Sequence, residues 1–388
     1  MTTRFLSETT AARRPGRAHA SGAAPGRTPT MVTRLSVWPP LPPAAYGRRP
    51  RALPFPFTEP ACRVFALGRH ALWHGVRALG LEPGDEVLVP AYHHGSEMEA
   101  LVRAGLTCRF FAGDEDLAPV ETELETLVRP RTRALVLIHY LGFPQAAERW
   151  RSWCDERGLL LLEDAAQAWL AQTETGPVGA CGDLAVFCLY KTFGVPDGAA
   201  LLCRAAPPEE HAGPKGSTAT VRRHVAWLRA RVPAARRPRG AVRTEPSADD
   251  FALGEPSAGP SRATRFLLPR FPESDVAAAR RRNYETLGER VDGRVASPFS
   301  EVPDGAAPFV FPLETGHKQA VISTLRAHGI HAFDFWSVGH PSLDPCAFPY
   351  IQRLRSRIVG LPVHQELRPR DVERIGSVVA GALSEVGE

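Results

Sequence analysis

Residues 159–168 read Leu159-Leu160-Leu161-Leu162-Glu163-Asp164-Ala165-Ala166-Gln167-Ala168. Four apolar residues in a row end in two carboxylates and a run of small residues. A short unbroken apolar run suits a strand covered on both faces, because an exposed face would alternate with polar residues. The same pattern recurs outward in both directions. Strands are predicted at Glu86–Val89, Thr107–Phe111, Ala134–His139, Leu159–Glu163, Leu184–Tyr190 and Ala199–Cys203. Between them, apolar spacing predicts helices over Arg69–Leu79, Glu97–Ala104, Val120–Val128 and Ala146–Arg157. Strands alternating with helices of this length imply an α/β fold, a mostly parallel central sheet with helices on both faces.

The flanks differ. Residues 1–55 are rich in Arg, Ala and Pro without apolar periodicity and are expected to form a disordered extension. Residues 56–265 then make the large domain. Within it, 205–262 is an irregular Arg/Pro-rich insertion with one expected helix over Val221–Arg231. Residues 266–388 make a smaller C-terminal α+β domain, with helices over Ser274–Arg290 and Lys318–His328, a strand near Phe309–Pro312 and a last helix from Asp371. No apolar run reaches the ~20 residues of a membrane span. Nucleic acid is not an expected partner. The net charge is +5, but residues 1–60 alone hold nine Arg against Glu8 and Glu59, so the rest of the chain is slightly acidic. The seven Cys contain no Cys-x-x-Cys pair and lie mostly in apolar stretches, which fits reduced thiols and a cytoplasmic location.

In open α/β sheets ligands bind beyond the carboxyl ends of the strands. Asp164 and Lys191 both fall there. The chain has only three lysines, Lys191, Lys215 and Lys318. The last two fall in Gly-Pro-Lys-Gly and next to Gly316-His317, stretches that read as solvated surface. A partly desolvated Lys191 would be a nucleophilic amine, although a snorkelling strand-end lysine has the same pattern. A carboxylate ending an apolar strand calls for a cationic partner, although Asp164 could also cap a helix beginning at Ala165. Gly68-Arg69-His70 opens the first helix, where free amides and the helix dipole attract anions. His93 and His94 are adjacent on an extended segment, point to opposite sides and share no ligand spacing with Cys or carboxylates, so no metal site is expected. No GxSxG elbow or GxGxxG fingerprint occurs.

Six pieces in order resemble the DegT/StrS family of fold-type-I pyridoxal-phosphate (PLP) aminotransferases. They are Gly68-Arg69-His70-Ala71-Leu72, Glu82 through Tyr92, Arg131 through Gly142, Glu163-Asp164-Ala165-Ala166-Gln167-Ala168, Gly179-Ala180-Cys181-Gly182-Asp183 and Lys191. Leu361-Pro362-Val363-His364 resembles a further segment of that family. The resemblance implies a PLP cofactor held by Lys191 as a Schiff base, with Asp164 on the pyridine nitrogen and Gln167 near the ring hydroxyl. His94 takes the place of the residue stacked on the ring, and Gly68, Arg69 and His70 hold the phosphate. Cys188 stands where the family has a phosphate-binding serine, and the turn after Lys191 reads Pro196-Asp197-Gly198-Ala199. His139 and His364 are weaker candidates for lining the pocket.

The expected protein is an aminotransferase, a homodimer by the resemblance. It would move nitrogen from an amino-acid donor to a keto or aldehyde acceptor, possible acceptors being a sugar or a secondary-metabolite intermediate. Two other readings stay open: a PLP enzyme of other outcome, such as dehydration, and a non-catalytic regulatory or binding protein on the same fold.

Overall fold

The computed structural model describes residues 34–205, 207–210, 251–271 and 275–388. The helix expected over 221–231 lies outside the described residues.

In chain order the strands are β1 (Leu35–Ser36), β2 (Cys62–Phe65), β3 (Glu86–Pro90), β4 (Thr107–Phe111), β5 (Thr132–Ile138), β6 (Leu160–Asp164), β7 (Leu184–Cys188), β8 (Ala199–Cys203), β9 (Val310–Glu314), β10 (Ile330–His331), β11 (Phe333–Asp334) and β12 (Ile358–Pro362). The helices are α1 (Ala44–Gly47), α2 (Gly68–Ala78), α3 (Ser96–Arg103), α4 (Glu121–Leu127), α5 (Ala147–Arg157), α6 (Leu189–Thr192), α7 (Arg262–Leu267), α8 (Val276–Arg290), α9 (Lys318–Ala327), α10 (Pro349–Arg357) and α11 (Pro369–Glu385).

The central sheet has seven strands in the order β2-β8-β7-β6-β5-β3-β4. Strands β4, β3, β5, β6 and β7 are mutually parallel, while β8 runs antiparallel to both β7 and β2. Side chains alternate across each strand, so both faces must be apolar. On β5, Ala134, Val136 and Ile138 belong to the core under α2 and α3, and Leu135 and Leu137 to the core with Trp150 and Trp153 of α5. The C-terminal part carries an antiparallel sheet, β11-β12-β9, packed with α8, α9 and α11. The expected α/β architecture with a smaller α+β part is what forms.

The structure departs from the sequence reading in three places. Residues 34–55, expected to be part of a disordered extension, are packed. Leu35–Ser36 pairs in parallel with Ile330–His331, and Val37, Leu41 and Ala45 are buried. These anchors are scattered among prolines, so they show no periodicity. Residues 251–260, expected to belong to an irregular insertion, have no regular structure but lie against α2, where His74 Nε2 meets the Pro256 carbonyl at 3.1 Å. Strand β7 ends at Cys188 rather than Tyr190. The chain turns into α6 because the Leu189 amide donates to the Gly198 carbonyl and the Phe193 amide to the Leu189 carbonyl. Among the described residues no helix is long and apolar enough to cross a membrane.

The two parts meet at Gly142, whose φ of 90° lies in the left-handed region. A Cβ there would stand 2.1 Å from the Ala307 carbonyl oxygen. The Ala307 amide donates to the Gly142 carbonyl and the Phe309 amide to Leu141, so backbone meets backbone without a side chain between. Gly142→Ala is expected to destabilise by about 2–4 kcal/mol from strain and overpacking together. Thermal melts check this, and an unchanged Tm would contradict the close approach.

Candidate active site

The carboxyl ends of β5, β6 and β7 open onto a cavity of about 290 Å³. It is walled by Gly68, Arg69, His94, Glu97, His139, Asp164, Gln167, Cys188 and Lys191, and on its apolar side by Trp38, Tyr190, Phe309, Phe333 and Trp336. The strand order explains the meeting. Strands β6 and β7 are neighbours with Asp164 opposite Val186, so the carboxylate ending β6 and the turn following β7 face one space.

Asp164 Oδ1 accepts from the Ala166 amide at 2.8 Å, but no helix begins at Ala165, so this bond closes a turn and is not the helix cap that the sequence left open. Among the described residues the carboxylate forms no ion pair. Burial raises its pKa to about 6, Glu97 pushes the same way, and Lys191 pulls it back. Lys191 lies in the one turn of α6, not at a strand end. Its Nζ sits 5.8 Å from the centre of the Phe309 ring and makes no ion pair or hydrogen bond among the described residues. An amine and a carboxylate thus share an apolar cavity without touching.

Gly68 begins α2, with no acidic side chain in the first turn. A Cβ at Gly68 would lie 2.9 Å from Cys188 Sγ, so glycine keeps this corner open. Burial pushes the Cys188 thiol up against the pull of Lys191. His94 Nδ1 meets Ser96 Oγ at 3.0 Å, and its ring stands edge-on to Phe251 at 5.6 Å. Gln167 Oε1 accepts from the Leu141 amide at 2.8 Å.

Two sequence candidates leave the set. His70 turns away from the cavity: its Nε2 meets the Leu253 carbonyl at 2.8 Å, and its amide is spent on Leu67. One residue further along a helix points about 100° away, so the position next to Arg69 faces the protein instead. His364 is buried outside the cavity, where its Nδ1 accepts from the Glu366 amide and burial lowers its pKa to about 3. Lys318, read as solvated, is 5% exposed. Its Nζ donates to the carbonyls of Phe335 and Arg355 and to Ser337 Oγ, and pairs with Asp334 at 2.7 Å. His93 is also buried elsewhere, its Nδ1 on the Pro90 carbonyl.

Sequence reasoning missed Glu97, which accepts from the His94 and Gly95 amides, and the aromatic wall. It also missed what Glu163 does. His139 Nδ1 accepts from the Gln145 amide, which leaves the proton on Nε2 for Glu163 Oε2 at 2.9 Å. Glu163 also accepts from the amides of Gly179, Cys181 and Gly182. This fully buried knot holds the 179–182 loop to the ends of β5 and β6. The signal was present in Glu163 preceding Asp164 on an apolar strand, since alternation sends the two carboxylates to opposite faces.

The residues present fit a flat cofactor with a protonated ring nitrogen and a phosphate. The Asp164 carboxylate, without an ion pair among the described residues, calls for a cation, Lys191 supplies an amine, and the start of α2 with Gly68 and Arg69 offers an anion site.

A seven-stranded, mainly parallel sheet followed by a small α+β part is the fold-type-I PLP-transferase architecture. Residues 60–205 match the DegT/DnrJ/EryC1/StrS aminotransferase family. A UDP-N-acetyl-3-dehydro-alpha-D-glucosamine 3-aminotransferase from Acidithiobacillus ferrooxidans is 27% identical over 334 residues, 82% of this chain and 83% of the relative. A dTDP-3-amino-3,4,6-trideoxy-alpha-D-glucose transaminase from Streptomyces venezuelae is 36% identical over 124 residues, 32% of this chain and 33% of that protein. Among solved structures, the aminotransferase TlmJ from Streptoalloteichus hindustanus superposes with a TM-score of 0.65 at 22% identity, covering 92% of this chain and all of TlmJ. DesV of S. venezuelae, solved with a ketimine intermediate, gives 0.61 at 21% identity, covering 83% and 84%.

The raised Asp164 pKa sets a pH dependence. The unfolded chain releases this proton at lower pH than the folded one, so wild-type stability falls as pH rises from the ordinary aspartate range to about 6. Asp164→Asn removes that cost. The cofactor-free variant is expected to melt above wild type at pH 8, to lose about half of that gain at pH 5 and most of it by pH 4. An equal difference at all three pH values would contradict the assignment.

Proposed function

We propose that this chain is a PLP-dependent aminotransferase that moves an amino group from an amino-acid donor to a carbonyl carbon of a sugar-derived acceptor. The observation that carries the reading is the Asp164 carboxylate and the Lys191 amine lining one cavity, neither with an ion pair among the described residues. Support for a sugar acceptor comes from the relatives, which are named as nucleotide-sugar aminotransferases. The same reading takes the chain as a cytoplasmic homodimer, in keeping with the family resemblance.

When bound, PLP supplies an aldehyde that takes up the donor's amine and a ring that accepts electrons from the adjacent carbon. Asp164 would keep the ring nitrogen protonated, which a buried carboxylate does best in a water-poor site. Gly68, Arg69 and the amides opening α2 would hold the phosphate, with the Cys188 thiol a weak donor beside them. His94 would lie against the ring and Gln167 near its hydroxyl. Lys191 Nζ would take the proton from the donor's α-carbon and return it at the neighbouring carbon of the cofactor, as general base and then general acid. The Glu163–His139 knot keeps the strand ends fixed while this happens.

Protein loaded with cofactor and given glutamate is expected to release one equivalent of 2-oxoglutarate per site, and to aminate a nucleotide-linked keto sugar in the second half. Lys191→Ala is expected to slow the first half by about 10²–10⁴-fold, the usual contribution of a general base. Water loss from the acceptor without oxoacid release would favour the dehydratase reading. Binding of an anionic partner that weakens steeply with salt, with no turnover, would favour the regulatory one.

A further inference from the structure

Arg280, on α8, is 2% exposed and has no carboxylate partner among the described residues. Burying a guanidinium costs several kcal/mol unless its donors are satisfied. Here they go almost entirely to backbone. Nη2 donates to the Lys191 carbonyl at 3.1 Å and the Thr192 carbonyl at 3.0 Å, Nη1 to the Pro308 carbonyl at 3.2 Å, and Nε to Gln365 Oε1 at 3.0 Å. Gln365 Nε2 donates in turn to the Thr192 carbonyl at 2.9 Å. Burial lowers the pKa of Arg280 to about 10, so it stays charged at neutral pH.

The acceptors share a location. The Lys191 and Thr192 carbonyls end the one-turn helix α6, where a cation is favourable and carbonyls lack helical partners. Pro308 precedes Phe309, whose ring lies 5.8 Å from Lys191 Nζ. One planar fork therefore ties the Lys191 turn, the aromatic wall beside the amine and the segment after β12 into one register. A neutral side chain could not satisfy three carbonyls at once, and a lysine would hold them as a point charge without the fork.

We propose that Arg280, assisted by Gln365, is the positioning residue for Lys191, fixing the amine against the Phe309 wall without touching cofactor or substrate. This rests on the reading of Lys191 as the reacting amine.

The test uses Arg280→Gln, Arg280→Lys and Gln365→Met in two states. In cofactor-free protein, limiting acetic anhydride labels lysines. With only three in the chain, peptide mass spectrometry reads each one, and buried Lys318 reports an intact fold. Arg280→Gln is expected to raise Lys191 labelling about fivefold or more, as a held turn is released, with Lys318 unchanged. In cofactor-loaded protein, the rate of the donor half-reaction at saturation is expected to fall about 100-fold, with the KM for glutamate within about threefold, since a misplacement of about 1 Å has this effect. Arg280→Lys is expected to recover part of both, and Gln365→Met to show a smaller change of the same kind. If Arg280→Gln does not fold, the other two variants carry the same comparison. Lys191 labelling and half-reaction rate both at wild-type level in folded variants would overturn the proposal, as would an effect confined to KM. If wild-type protein does not place the cofactor on Lys191, the reading of the site fails, while the labelling comparison still decides the clamp.

Discussion

The structure depends on a carboxylate held, among the described residues, without an ion pair at the floor of an apolar cavity. Asp164 ends a strand buried on both faces, and among the described residues only the Ala166 amide answers one of its oxygens. That costs free energy in the bare protein, as its raised pKa records. Under the proposed reading, a cationic ring meets it there. The parallel sheet makes the meeting possible, because β6 and β7 are neighbours and both deliver their carboxyl ends to the same side. Asp164, Lys191 and the start of α2 converge there without any of them being near in sequence.

Around this pair, buried cations grip backbone carbonyls. Arg280 holds the Lys191 turn. Arg355 donates to the Trp336 and Val338 carbonyls and to Ala91 at the end of β3. Lys318 holds Phe335 and Arg355 as well as Asp334. Trp336, a cavity residue with φ of 47°, lies between the last two. A bulky residue in the left-handed region needs such over-determination to persist. These knots keep C-terminal segments against the sheet end, so the cavity is walled by both parts of the chain.

The sheet was legible because unbroken apolar runs such as Leu159–Leu162 have few alternatives once helices of 7–11 residues lie between them. Asp164, Lys191, Gly68, Arg69, His94, Gln167 and Cys188 all line the cavity; the first four were singled out at strand and helix ends, while His94, Gln167 and Cys188 were singled out by the family resemblance. What stayed hidden depends on long-range backbone partners. Arg280 lies in the run Arg280-Arg281-Arg282, and nothing local separates the buried one from its neighbours. Lys318 follows Gly316-His317 and looks exposed, yet carbonyls distant in sequence enclose it. Trp38 and residues 34–55 lack periodicity because they pack as scattered anchors along a proline-rich path. His70 was misplaced because helical rotation turned it from the cavity while Gly68 and Arg69 stayed.

The most direct measurement is reductive trapping. Protein loaded with pyridoxal phosphate is treated with borohydride and digested, and the cofactor's mass is sought on lysine peptides. With three lysines in the chain the outcome is unambiguous. The account predicts the adduct on the peptide containing Lys191, and its disappearance in Lys191→Ala. An adduct on Lys215 or Lys318, or one that persists in Lys191→Ala, would contradict it.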